Sequence, residues 1–155
     1  MPFQLLRQKA DYSAVPWCTF LDPEIAHVGL GEDEAKKRGI AYDLFEQPMA
    51  DVDRAVVESA TAGLAKVLVR RGTDRILGAT IIAEHAGDLL QPLVLAMRCG
   101  LGLGKIASTI HPYPTFAEVG RKTADAYQKT RLTPFAKKLF RALYNRARRS
   151  CWFTT

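Results

Sequence analysis

The residues most able to do chemistry are crowded into the segment 109–118, which reads Thr-Ile-His-Pro-Tyr-Pro-Thr-Phe-Ala-Glu. It brings an imidazole at His111, a phenol at Tyr113 and a carboxyl at Glu118 close together in sequence. An imidazole titrates near neutral pH and a nearby carboxylate can orient it, which are the requirements of general acid–base catalysis. Prolines on both sides of the tyrosine restrict the backbone. The segment is therefore the first candidate for a functional site.

The other reactive residue types are scattered. The three cysteines, Cys18, Cys99 and Cys151, are odd in number and far apart in sequence. Such spacing fits neither a disulfide framework nor a zinc site, so we expect three reduced thiols and no metal. Three glycines at 100, 102 and 104 follow a helical pattern and not a strand, which excludes both a P-loop and a dinucleotide-binding fingerprint.

The first half of the chain is rich in strand signals. Residues 51–62 read as a polar connection with a turn of helix, and Pro48 is expected to end the strand before it. Two β-rich runs on either side of a Gly72-Thr73-Asp74-Arg75 turn predict a hairpin. The predicted strands cover residues 15–20, 25–30, 40–47, 64–70 and 76–83.

The second half has helical periodicity. One helix is expected to begin near Asp88, which would put Pro92 in or beside its first turn. Another should cover residues 115–129, with Thr115 and Glu118 forming a capping box. Acids followed by bases predict an earlier short helix at 32–38, and a single helical turn is expected at 105–108.

This order of elements predicts an α+β fold. We expect a two-layer sandwich in which an antiparallel sheet of four to five strands is packed by about three helices, with an extra basic helix at the C-terminus. Because β-α-β alternation is missing, there is no room for a Rossmann unit. The predicted organisation is an N-terminal arm at 1–14, one domain at 15–130 and a basic amphipathic helical tail at 131–155.

The positive charge is concentrated in the C-terminal part. The net charge is +6, but residues 121–150 hold ten Lys or Arg against the single acid Asp125, and the remaining 12 bases against 15 acids leave −3. A helix beginning at Thr133 would carry an apolar stripe and a basic face. Peripheral contact of residues 133–150 with a membrane, nucleic-acid binding and packing of the stripe on the domain or a dimer mate all stay open. Nucleic acid is the least favoured, because no aromatic residues are interleaved with the bases.

The sequence gives no sign of membrane insertion or export. No apolar run reaches the roughly 20 residues that span a bilayer. The N-terminus is too short and too polar for a signal peptide. A cytoplasmic protein is the default expectation.

Six motifs in order resemble the C-terminal dimerisation domain of the flavin-dependent pyridine nucleotide–disulfide oxidoreductases, over roughly residues 15–130. The resemblance is nearest to the mercuric reductase-like and dihydrolipoamide dehydrogenase-like branch. The motifs are PWCTFLDPEIAHVG at 16–29, DRA at 53–55, KVLV at 66–69, ILGATI at 76–81, AGDLL at 86–90 and HPYPT at 111–115.

The resemblance implies a homodimer in which the segment 109–118 reaches the partner's active site, beside the flavin and the redox disulfide. In the family a histidine serves as acid and base for the thiol, and a glutamate orients it. Alignment on Pro114-Thr115 puts that glutamate at Glu118, whereas the histidine position holds Tyr113. By the same alignment, His111 and Pro112 are expected to contact the partner's flavin.

The chain also departs from the whole enzymes. It has no flavin or nicotinamide fingerprint and no closely spaced cysteine pair, and Cys151 stands alone where mercuric reductases have a vicinal pair. We therefore expect no cofactor bound by this chain alone and no redox catalysis by it, with FAD and NAD(P) held by upstream flavin and nicotinamide domains of a full-length enzyme. The alternative function is a stand-alone binding module whose basic tail docks on an anionic membrane or nucleic acid.

Overall fold

The computed structural model describes residues 14–133, together with Tyr12, Lys138, Arg141, Tyr144 and Asn145. Within this part the chain forms five strands and five α-helices, with one short 3-10 turn at Met49–Asp51. The strands are β1 Trp17–Thr19, β2 Glu24–Gly29, β3 Tyr42–Pro48, β4 Leu64–Arg70 and β5 Ile76–Ala83. The helices are α1 Glu32–Lys37, α2 Asp53–Val57, α3 Ala86–Arg98, α4 Leu103–Ala107 and α5 Glu118–Thr130.

The five strands make one antiparallel sheet in the order β1-β2-β5-β4-β3. The predicted hairpin is confirmed as β4 and β5, whose pairing shifts at a bulge between Leu68 and Val69. The predicted α+β sandwich is therefore confirmed with five strands, and it has five α-helices in the described part where about three were expected, two of them only five residues long.

The core lies between the sheet and its long helices. Helix α3 packs on β2 and β5, and α5 packs on β3 and β4. Leu90 and Leu93 of α3 and Val119 of α5 are almost fully buried. The ring of Tyr127, near the end of α5, stands edge-on to Phe45 of β3 with centroids 5.6 Å apart. This packing fixes α5, and with it the position of the segment that precedes it.

Gly78 allows β2 and β5 to pair at their closest point. A Cβ at this position would lie 2.1 Å from the backbone oxygen of Leu30. Gly78→Ala should therefore push the two strands apart and lower the free energy of unfolding by about 1–3 kcal/mol. Urea denaturation at one fixed protein concentration measures this loss.

Gly120→Ala is the matched control for Gly78→Ala, because a Cβ at this helical position would meet nothing within 4 Å. It should stabilise the protein by about 0.5–1 kcal/mol through helix propensity. Equal destabilisation by the two substitutions would contradict the close approach of β2 and β5.

Two local predictions were wrong. The connection 51–62, expected to be polar, contributes Val52 and Ala55 to the core, each fully buried. Helix α3 starts at Ala86, so Pro92 lies in the second turn and not near the first; it is tolerated because it lies on the exposed side of the helix. Pro48 ends β3 as predicted: it is the last residue of the strand and pairs with Leu64 at the edge of the sheet, where a missing N–H is acceptable.

Most of the predicted tail helix lies outside the described residues. Four of its residues are described, and all four are helical and exposed: Lys138, Arg141, Tyr144 and Asn145. The predicted N-terminal arm also lies outside them, apart from Tyr12 and Ala14. Within the described part, no helix is long and apolar enough to cross a membrane.

Candidate functional site

The segment 109–118 joins α4 to α5 and is held mainly by bonds within itself. The hydroxyl of Thr115 donates to the carbonyl of Pro112 at 3.0 Å. The imidazole Nδ1 of His111 lies 2.8 Å from the carbonyl of Thr109, and since a carbonyl only accepts, this nitrogen is the donor. Ile110 between them is 97% exposed. The segment is thus ordered, and its residues 112–114 are exposed together with Ile110.

Tyr113 is bound to a residue far away in sequence. Its hydroxyl donates to Oδ2 of Asp53, the first residue of α2, at 2.5 Å. The ring itself is 68% exposed. The hydrogen bond to Asp53, followed by the charge of that carboxylate, raises the pKa of Tyr113 above its ordinary value of about 10. Tyr113 is therefore a neutral phenol over the whole physiological pH range.

Glu118 is buried, with only 3% of its surface exposed. Its Oε1 lies 2.7 Å from the guanidinium of Arg121 and 3.7 Å from Nζ of Lys122. Its Oε2 is also buried and has no hydrogen-bond partner among the described residues. The side chain is thus a buried acceptor held at one oxygen and open at the other.

The predicted capping box at Thr115 and Glu118 is wrong. Helix α5 begins at Glu118, with Ala117 as its N-cap and no side-chain hydrogen bond to the cap. Thr115 is engaged instead by the Pro112 carbonyl, and only its backbone oxygen receives the N–H of Glu118, at 3.2 Å. The carboxylate of Glu118 is therefore not used in capping.

Lys122 links the two carboxylates around the segment. Its Nζ lies 3.8 Å from Oδ1 of Asp53, 3.7 Å from Oε1 of Glu118, and also donates to the backbone oxygen of Asp51. Tyr113 is therefore bound to Asp53, whereas Glu118 is paired with Arg121 and Lys122. No hydrogen bond joins Tyr113 to Glu118. Asp53 was not among the predicted site residues, because nothing local in the sequence points from it to a residue 60 positions later.

Two of the three thiols lie in the described part of the chain, and they are not paired with each other. Cys18 and Cys99 are free, as predicted, and Cys151 lies outside the described residues. Burial, and next the charge of Glu24, raise the pKa of the Cys18 thiol, which disfavours the thiolate. In the described part of the chain, no group of three or more His, Cys, Asp or Glu side chains could hold a metal ion.

The fold does not suit a whole flavin or nicotinamide dinucleotide. Such groups are held by parallel β-α-β units that place a pyrophosphate at a helix N-terminus, whereas every strand pair in this sheet is antiparallel. The glycine series leads only into the five-residue helix α4. The described residues thus lack a dinucleotide cradle of the parallel β-α-β kind.

Comparison with known proteins agrees with this architecture. The family model described as "Pyridine nucleotide-disulphide oxidoreductase, dimerisation domain" matches residues 15–124. The chain is 39% identical over 117 residues to a mercuric reductase of Streptomyces lividans, covering 76% of this chain and 25% of that protein. It is 38% identical over 120 residues to the mitochondrial dihydrolipoyl dehydrogenase of Dictyostelium discoideum, covering 77% and 25%.

A solved structure gives the same result. The flavoprotein disulfide reductase RclA of Escherichia coli superposes with a TM-score of 0.69 at 26% identity, over 73% of this chain and 26% of that one. The chain thus spans about a quarter of the length of the relatives that it matches. Fold, ordered motifs and family match agree, and this chain belongs to the family of pyridine nucleotide–disulfide oxidoreductase dimerisation domains.

Proposed function

We propose that this chain supplies the homodimer contact of an FAD- and NAD(P)-dependent disulfide oxidoreductase, and that the segment 109–118 enters the active site of the partner subunit. One observation carries the proposal. The segment is ordered by its own hydrogen bonds and by Asp53, yet Ile110 and Tyr113 are turned to solvent. An ordered segment that exposes two such side chains is suited to contact another chain.

The surroundings of the segment support a protein contact. Val56 and Val57 follow Asp53 by three and four positions, so they lie near it on the surface of α2. They are 54% and 73% exposed. Together with Ile110 and Tyr113 they form what we call the segment surface, four exposed apolar or aromatic residues around one hydrogen bond. Large exposed side chains gathered in this way are typical of interfaces.

The site residues then take distinct roles. His111 and Pro112, earlier in the segment, would lie against the partner's flavin. Glu118 occupies the place of the family's orienting glutamate, and Tyr113 that of its acid–base histidine. Because its pKa is raised, Tyr113 keeps its proton and cannot shuttle it at neutral pH. The chain alone has no redox activity in this account, since the flavin and nicotinamide belong to upstream domains.

The alternative of a tail-driven binding module has less support. The family match ends at residue 124, before the basic residues 133–150. Nothing in the comparisons connects the chain with a membrane or with nucleic acid. The dimerisation proposal, by contrast, rests on the part of the chain that the family model matches.

A chimera tests the proposed function. Residues 15–130 would replace the matching segment of the Dictyostelium dihydrolipoyl dehydrogenase, and the same enzyme cut before that segment would serve as the control. We expect the chimera to be dimeric and to retain FAD, as shown by its sedimentation and flavin absorbance, while the truncated control is not dimeric. A monomeric chimera, or one no better than the truncated control, would rule the proposal out.

A further inference from the structure

We propose that Asp53 is a positioning residue for Tyr113: by taking the phenolic O–H, it leaves the tyrosine oxygen facing the partner subunit as a hydrogen-bond acceptor. The inference rests on the proposed function, because it assumes that the segment 109–118 faces a partner. Asp53, from a distant part of the chain, thereby joins the site. The segment offers the partner subunit a hydrogen-bond acceptor, the phenolic oxygen of Tyr113.

The polarity follows from the geometry of the pair. A carboxylate can only accept a hydrogen bond, so at 2.5 Å the Tyr113 hydroxyl must be the donor to Asp53. A phenol has one proton, and the remaining lone-pair direction on its oxygen can only accept. Since the ring is 68% exposed, packing contributes little to its orientation, and the bond to Asp53 is the main side-chain restraint.

Asp53 is itself well held. Its backbone begins α2, and its Oδ1, the oxygen that Tyr113 does not use, lies 3.8 Å from Nζ of Lys122. Lys122 is anchored in turn on the backbone of Asp51 and beside Glu118. The carboxylate of Asp53 is therefore held by residues of two helices, α2 and α5. A side chain held in this way can fix the orientation of another one, here Tyr113.

Glu118 does not hold Tyr113. Its Oε1 is engaged by Arg121 and Lys122, and it makes no hydrogen bond to the phenol. Asp53 also accounts for the main causes that raise the pKa of Tyr113, with burial and the charge of Glu118 contributing less. The phenolic oxygen of Tyr113 therefore stays protonated, and its orientation is fixed by Asp53. Its free lone pair can accept a hydrogen bond.

The ionisation of Tyr113 tests the pairing in the chain itself. The protein contains five tyrosines, so each would be labelled with ¹³C at Cζ and followed by NMR, with the Tyr113 signal assigned by its loss in Tyr113→Phe. We expect Asp53→Asn to shift the titration of Tyr113 to lower pH. Asp51→Asn is the matched control, because its carboxylate binds Gln47 at 3.1 Å and should leave the titration unchanged. An unshifted titration in Asp53→Asn overturns the pairing.

Dimer affinity tests the acceptor role. Tyr113→Phe and Asp53→Ala, whose methyl group cannot accept the phenolic O–H, should each raise the dimer dissociation constant about 3- to 10-fold, the effect of one lost hydrogen bond. The double variant should be no worse than either single one, because both remove the same contact. Loss of affinity in Tyr113→Phe alone would overturn the role of Asp53. A monomeric wild type would overturn the proposed function and the acceptor role with it, while the titration still decides whether Asp53 holds Tyr113.

Discussion

Tyr113→His should raise the dihydrolipoamide oxidation rate of the Dictyostelium chimera by about 10²- to 10⁴-fold, the usual contribution of a positioned general base. The phenol at this position keeps its proton, because its pKa is raised by Asp53. An imidazole, by contrast, can accept a proton from a thiol near neutral pH. The buried Oε2 of Glu118 has no partner among the described residues and is available to orient the new ring.

Two further variants of the chimera separate this explanation from a general improvement. Tyr113→Phe should remain as slow as the unmodified chimera, since neither side chain takes up a proton. Tyr113→His combined with Glu118→Gln should lose most of the gain, because an amide orients an imidazolium less well than a carboxylate does. A Tyr113→His chimera that is no faster than Tyr113→Phe would show that residue 113 does not stand in the histidine's place.

Ile110→Asp should weaken the dimer by about 2–4 kcal/mol, or roughly 30- to 1,000-fold in the dissociation constant, as substitution at the centre of an interface does. Ile110 is the most exposed member of the segment surface, at 97%. Burying a new carboxylate against a partner without a counter-charge is costly. Sedimentation velocity over a range of protein concentrations measures the constant.

Leu101→Asp is the matched control for Ile110→Asp. Like Ile110, Leu101 is an exposed aliphatic residue, with 42% of its surface accessible. It lies just after the C-terminal end of α3. The segment 109–118 instead touches the opposite end of that helix, where Phe116 lies against His85 with ring centroids 6.2 Å apart. The control should leave the dimer intact. Equal weakening by the two variants would mean that the interface is not at the segment surface.

Elements governed by neighbouring residues were predictable from the sequence. The hairpin of β4 and β5 needs only two β-rich runs and a turn, and both strands have the predicted bounds. The start of α5 explains one failure: the helix begins at Glu118 with Ala117 at its N-cap, so Thr115 lies outside the capping position and its hydroxyl donates to the Pro112 carbonyl. Val52 and Ala55 were not predicted to be buried, because the mixed polar and apolar residues of 51–62 make no clear periodic pattern.

The site shows the same division. The segment 109–118 stood out through its composition and its family motif. The hydrogen bond from Tyr113 to Asp53 could not be predicted, because the two residues are 60 positions apart in sequence. Only the folded chain brings the start of α2 next to the segment that precedes α5. Tertiary packing, not local pattern, therefore determines which acid serves the tyrosine.

The molecular mass of the chain in solution tests the central claim most directly. One chain has a mass of 17.2 kDa. Multi-angle light scattering across the micromolar range should approach twice that mass as the concentration rises, and Ile110→Asp should shift the transition to higher concentration. A wild-type mass that stays at 17.2 kDa at high micromolar concentration would contradict the proposal that this chain forms a homodimer.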